Sequence, residues 1–185
     1  IPHRNLSSNA VTLHAYWGFK PGDILLHTLP IFHVHGLFVA CHTALLNGSK
    51  MIFHGKFEAG AAIAALPRAT VFMGVPTMYV RLLSDRAFTS QTCANIRLFV
   101  SGSAPLLAET FHQFKARTGH VVLERYGMTE TGMITSNPLD AERRAGTVGL
   151  PVPGAALRVV GRTGRACRTR DLGAPAGSGD NAFPR

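Results

Sequence analysis

The chain lacks most of the features that would place it quickly. No apolar run approaches the roughly 18 residues that a membrane-spanning helix needs. There are only three cysteines in 185 residues, and Cys41, Cys93 and Cys167 are too far apart for a zinc or redox spacing. Free thiols in a reducing compartment are the simple reading. Neither an initiator Met nor a signal-peptide pattern opens the chain, which starts Ile1-Pro2-His3-Arg4-Asn5 and is expected to be a cut through a longer one. No G-x-x-x-x-G-K phosphate loop occurs, and no internal repeat.

Acidic residues are also scarce, with 10 against 19 Lys and Arg, for a net charge of +9. Such an excess raises the question of nucleic acid. Its distribution answers against that, because the only adjacent basic pair before residue 161 is Arg143-Arg144. A scattered excess suits a solvated surface or a site for a small anion. Hydrophobic residues make up 46% of the chain, enough for one domain with a sizeable core.

Strand-like and helix-like runs alternate as far as residue 160. Leu6, Ala10, Leu13 and Trp17 share a helical face, which Pro21-Gly22-Asp23 is expected to end. Strands are expected at 24–29, 50–54, 70–73, 97–100 and 121–123. Helices are expected at 36–46, 57–66, 76–83 and after Pro105, the last with Leu107, Phe111 and Phe114 on one face and ending at Gly119. Pro76 suits a first helical turn, where its missing N–H costs nothing. Continuous apolar strands separated by helices indicate an α/β fold, a mainly parallel sheet with helices on both faces. Residues 161–185 differ: they are rich in Arg, Gly, Ala and Pro and lack apolar periodicity, the composition of a divergent, disordered tail.

Parallel sheets bind ligands at the carboxyl ends of their strands. Two segments are expected there, Ser101-Gly102-Ser103-Ala104-Pro105 and Tyr126-Gly127-Met128-Thr129-Glu130-Thr131. In the second, Thr129 offers a hydroxyl and an N–H to a phosphate. Glu130 offers a hard oxygen suited to Mg2+, and Tyr126 offers a ring on which a base can stack. A polar loop with no ligand fits the same residues.

Tyr126-Gly127-Met128-Thr129-Glu130-Thr131 resembles the YGxTE signature of the adenylate-forming superfamily, which includes acyl-CoA synthetases. Four more segments resemble that family in its order: Leu29-Pro30-Ile31-Phe32-His33-Val34-His35-Gly36-Leu37, Gly74-Val75-Pro76-Thr77, Ser101 with Gly102 to Leu106, and Gly146-Thr147-Val148-Gly149-Leu150-Pro151. The resemblance implies that residues 1–160 are part of the large N-terminal adenylation domain of that fold. It implies ATP, Mg2+ and CoA as reactants and cofactor. A carboxylate would attack the α-phosphorus of ATP and expel pyrophosphate, and the CoA thiol would then displace AMP from the acyl-adenylate. Gly102, Ser103, Ala104, Pro105, Glu124, Tyr126, Gly127, Met128 and Thr129 would frame the nucleotide. Thr129 would hold the α-phosphate and Glu130 the Mg2+, as the two catalytic residues.

The acid is suggested by Arg125, where relatives that take apolar acyl chains commonly have a small residue. A guanidinium can grip a second carboxylate bidentately. With Arg81 and the run Glu124-Arg125-Tyr126-Gly127, it resembles the malonyl-CoA synthetases, so a small dicarboxylate such as malonate is the expected substrate. Another short acid such as methylmalonate, or a noncatalytic remnant of the fold, are the alternatives. His33 would line the acyl or pantetheine route, Ser103 the acyl pocket, and His35 would be structural or support its neighbours. Arg81 could equally be a solvated helix residue, and Arg143 and Arg144 are most simply surface charge. The family's phosphate loop and its C-terminal domain are expected outside this chain. Free cysteines and the lack of a targeting pattern point to the cytoplasm, or to mitochondria if a leader was lost.

Overall fold

The computed structural model describes residues 1–158 and 160. The tail expected at 161–185, and Cys167 within it, lie outside the described residues. Helix α1 spans His3–Tyr16, and strand β1 spans Ile24–His27. A π-helical stretch, His35–Cys41, runs directly into α2, His42–Leu46, and is followed by β2, Lys50–Phe53. Helix α3, Ala59–Ala65, leads through a 3-10 turn to β3, Val71–Gly74. Then come α4, Pro76–Leu83, β4, Leu98–Ser101, α5, Ala108–Thr118, and β5, Leu123–Met128. Strands β6, Gly132–Ser136, and β7, Leu150–Pro151, complete the order.

These strands form one seven-stranded sheet in the order β2-β1-β3-β4-β5-β6-β7. The first five are parallel, β6 pairs antiparallel with β5, and β7 pairs antiparallel with β6. The chain moves one way from β1 to β2 and the other way from β2 through β5. Right-handed crossovers therefore place the π-helix and α2 on one face and α3, α4 and α5 on the other. The packing agrees, with α1 against α2, the π-helix and β6, and α4 against α3 and α5. The α/β sheet with helices on both faces forms as the sequence predicts.

The core lies between the sheet and α4–α5. Tyr79, Phe72, Phe99 and Phe114 are all buried and meet edge to face, with ring centroids 4.9–6.5 Å apart, the geometry that aromatic quadrupoles favour. On the other face Leu13 and Trp17 are fully buried.

Four expectations need correction. Helix α1 ends at Tyr16, before Pro21, because Gly18 adopts φ +57° and closes it. Leu107 is not on the buried face of α5. It is the extended N-cap residue and 69% exposed, while Phe111 and Phe114 carry the packing. The segment from Tyr126 is not a loop beyond a strand. β5 continues through Met128, because β6 pairs back on it as a hairpin. Arg143 is not surface charge. Its guanidinium donates to the carbonyls of Pro138, Val121 and Leu139 at 2.9, 2.6 and 2.7 Å, which ties the loop after β6 to the start of β5.

Candidate active site

The carboxyl end of β4 lies beside the first half of β5, with Ser101 opposite Glu124. The turn after β4 is held under constraint. Ser103 has φ +68°, the only positive φ at a non-glycine position among the described residues. Strain of this kind persists only where the surroundings hold it. Ser103 Oγ lies 3.2 Å from His35 Nδ1, and Leu106 N donates to Glu124 Oε2 at 3.3 Å. The segment after β1 thus reaches across to the turn after β4 through one histidine.

Glu124 and Arg125 are 5% and 3% exposed. Neighbouring residues of a strand face opposite sides of the sheet, and no ion pair forms between them. Burial pushes the Glu124 carboxyl up to about 7, against the partial offset of N–H groups from Leu106 and Gly146. Burial likewise brings the Arg125 guanidinium down to about 10. Its Nε and Nη2 have no hydrogen-bond partner among the described residues.

His35 is 1% exposed. Burial first, and then the charge of Arg125, hold its imidazolium form well below the usual histidine range, so the ring is neutral. With Nδ1 at the Ser103 hydroxyl, Nε2 is also buried without a partner among the described residues. Isolated buried polar groups are costly. Here a guanidinium and an imidazole, each with buried nitrogens that have no partner among the described residues, stand at the edge of the same site.

The hairpin carries the other expected residues. Tyr126 and Gly127 are half-buried, and the register of the β5–β6 ladder shifts between them. Such a bulge increases the local twist and re-aims side chains. Met128, Thr129 and Glu130 are exposed around the tip, which is closed by Thr131 N donating to Met128 O at 3.2 Å. Glu130 has no cation within ion-pairing distance among the described residues. Its carboxylate, with the Thr129 and Thr131 hydroxyls beside it in sequence, is a hard-oxygen set that fits Mg2+.

Arg81 is directed elsewhere. Its side chain is 56% exposed, with Nη2 4.0 Å from Glu58 Oε2 and the guanidinium carbon 5.1 Å from the centre of the Phe57 ring. His33 is exposed, and its Nδ1 accepts from the backbone N–H of His35 at 3.1 Å. Gly102, Glu124 and Arg125 come together buried, and Ser103, Ala104 and Pro105 are exposed on the turn beside them. The sequence gives His35 only a supporting part, yet it is the histidine buried against Ser103. The two histidines are two residues apart, and no periodicity separates them.

Residues 1–178 match the AMP-binding enzyme family, and the chain belongs to it. Within the family, the mitochondrial malonate–CoA ligase ACSF3 of Mus musculus is 39% identical over 174 residues, covering 85% of this chain and 30% of that protein. The ATP-bound structure of MatB from Rhodopseudomonas palustris superposes with a TM-score of 0.89 at 51% identity, over 91% of this chain and 34% of that one. A malonyl-CoA ligase in a ternary product complex with methylmalonyl-CoA and AMP gives a TM-score of 0.77 at 42% identity, over 83% of this chain and 34% of that one. The chain therefore spans about a third of the length of these relatives.

Proposed function

We propose that this chain forms the acid-recognising and nucleotide-facing part of an ATP-dependent acid–CoA ligase that activates malonate. The observation that carries the substrate is Arg125, a buried guanidinium that among the described residues has two unpartnered nitrogens and no carboxylate paired to it. A buried cation of this kind calls for an anionic partner, and a malonate bound for adenylation has a spare carboxylate to supply. The identity with malonate–CoA ligases supports the same reading. Methylmalonate is the second reading, supported by the product bound to one relative.

Positioning dominates the first step, since the nucleophile is the acid itself. Gly102, Ser103, Ala104 and Pro105, with Tyr126, Gly127 and Met128, would shape the nucleotide pocket, and Glu124 braces it through Leu106. Thr129 would hydrogen-bond the α-phosphate. Glu130 would hold Mg2+, which when bound neutralises phosphate charge. The acid's second carboxylate would sit against Arg125. Arg81 could join it only by leaving Glu58, and His33, exposed at the rim, would line the path of the CoA arm. The acid's attacking oxygen would bond to the α-phosphorus as pyrophosphate leaves. The CoA thiol would then form the thioester as AMP leaves. Contacts to the departing pyrophosphate, and the lid over both steps, would come from parts of the ligase beyond these motifs.

The thiols bear on the compartment. Cys41 and Cys93 are free and buried, and no helix among the described residues is long and apolar enough to cross a membrane. A cytoplasmic or a mitochondrial setting accommodates both facts.

The test is acid-dependent ATP–pyrophosphate exchange by an intact ligase carrying this segment, with malonate, methylmalonate, acetate and butyrate. Malonate is expected to be preferred, and Arg125→Ala is expected to raise its KM far more than that of acetate. Equal losses on both acids would remove the assignment.

A further inference from the structure

Asn9 lies in the middle of α1 and far in sequence from every motif, yet it is bonded to the signature hairpin. Its Nδ2 donates to Met133 O at 2.9 Å, and Met133 N donates to its Oδ1 at 3.0 Å. A side-chain amide is thus paired with one backbone residue in both directions, as a neighbouring strand would be. It does so where the β5–β6 ladder is irregular, beside the register shift at Tyr126 and Gly127, so buried main-chain groups stay satisfied there. The fit is close. Gly132 has φ +68°, and a Cβ on it would stand 2.9 Å from Asn9 Oδ1. Asn9, Thr129, Thr131 and Gly132 line one small cleft.

The same helix also holds the other end of β6. Trp17 Nε1 donates to Ser136 Oγ at 3.0 Å in the core. From Asn9 to Trp17 is about 12 Å of helix at about 1.5 Å per residue. From Met133 to Ser136 is about 10 Å of strand. The two spans match, so α1 lies along β6 as a splint. Trp17 anchors the buried end, and Asn9 anchors the end that leads into the tip.

We propose that Asn9 is a positioning residue that fixes where Thr129 and Glu130 stand relative to the phosphates and their metal. This rests on the proposed role of the tip in holding phosphate and Mg2+. A hairpin tip just beyond the last anchored backbone group is otherwise free to swing, and a displacement of about 1 Å at a phosphate can cost about 100-fold in rate. Asn9→Ala removes both bonds. Asn9→Asp keeps the acceptor for Met133 N and loses the donor to Met133 O.

The experiment compares Asn9→Ala, Asn9→Asp, Trp17→Phe and Glu130→Gln in an intact ligase carrying this segment. Affinity for a nonhydrolysable ATP analogue is measured by calorimetry with and without Mg2+. In the two Asn9 variants the Mg2+-dependent gain in affinity is expected to fall about tenfold and the affinity in its absence to fall by a smaller factor, while KM for the acid, set by Arg125, holds steady. Trp17→Phe, an equally structural bond further along β6, is expected to lower Tm but keep the Mg2+ gain. If Asn9→Ala does not fold, Asn9→Asp decides. Two results would overturn the inference: a wild-type Mg2+ gain in a folded Asn9 variant, or a parallel loss of nucleotide and acid binding in that variant. If Glu130→Gln itself keeps the full Mg2+ gain, the proposed role of the tip has failed instead.

Discussion

Gly102 lies so close to the guanidinium of Arg125 that a side-chain carbon at position 102 would overlap its central carbon and nitrogens. The turn after β4 and the buried cation of β5 are therefore a matched pair. The absence of a side chain at one position sets the place of the charge at the other. This makes the proposed acid pocket sensitive to a single methyl group.

Gly102→Ala should displace the guanidinium without unfolding the sheet, because its backbone φ is not in the left-handed region. KM for malonate should rise about tenfold or more, with little change for acetate. Steady-state exchange kinetics on both acids check this, and an unchanged malonate KM counts against the pocket.

Glu124 makes stability depend on pH. Its carboxyl is raised to about 7 in the fold, chiefly by burial, from an ordinary value of 4.5. The unfolded chain therefore gives up this proton at lower pH than the folded one. Its contribution to stability is complete below about pH 4.5 and is lost as pH rises through about 7. The effect is about 3 kcal/mol. Urea unfolding at about pH 5 and about pH 8, on either side of the folded value, should show the loss in the wild type and a smaller one in Glu124→Gln. The amide oxygen of that variant can still accept from Leu106 N.

Asp23 acts in the opposite sense. Burial alone would raise its carboxyl, but the hydrogen bond from Arg97, with those from Lys20 N and Thr70, outweighs burial and holds it below the ordinary 3.8. Arg97 grips both of its oxygens and also donates to Trp17 O, which joins the ends of β1 and β4 to α1. This stability is present above about pH 4 and is lost as pH falls through the folded value. Asp23→Asn should cost about 3 kcal/mol at neutral pH and flatten the acid limb of the stability curve. Denaturant midpoints from about pH 2.5 to neutrality measure it.

Arg143→Ala should destabilise the protein by about 1–3 kcal/mol, since three carbonyls lose one donor group. Arg143→Lys should rescue little, because a single ammonium lacks the planar fork that reaches all three. Chemical denaturation of both variants gives the comparison.

Much of the architecture was legible in order. Strands rich in Val, Phe, Leu and Ile, punctuated by Pro76, Asn47-Gly48 and Gly119, carry their own period and stop signals. The errors cluster where tertiary pairing overrides local chemistry. Tyr126 to Met128 reads as a polar loop, but β6 supplies hydrogen bonds that make it a strand. Arg143 reads as solvated charge until three carbonyls converge on it. The π-helical start at His35 reads as ordinary helix, because an i to i+5 bond leaves no trace in hydrophobic spacing.

Sequence alone determined the class: five motifs in register identify a family whatever their packing, since each is a local string with its own turn chemistry. Only the tertiary structure decided the state of the charges and the choice between similar residues. It buried Arg125 with two nitrogens unpartnered among the described residues while turning Arg81 onto Glu58, and it chose His35 over His33 as the neighbour of Ser103. Those outcomes depend on which strand end lies beside which turn. Burial and pairing are properties of neighbours brought together from distant parts of the chain, and no local pattern encodes them.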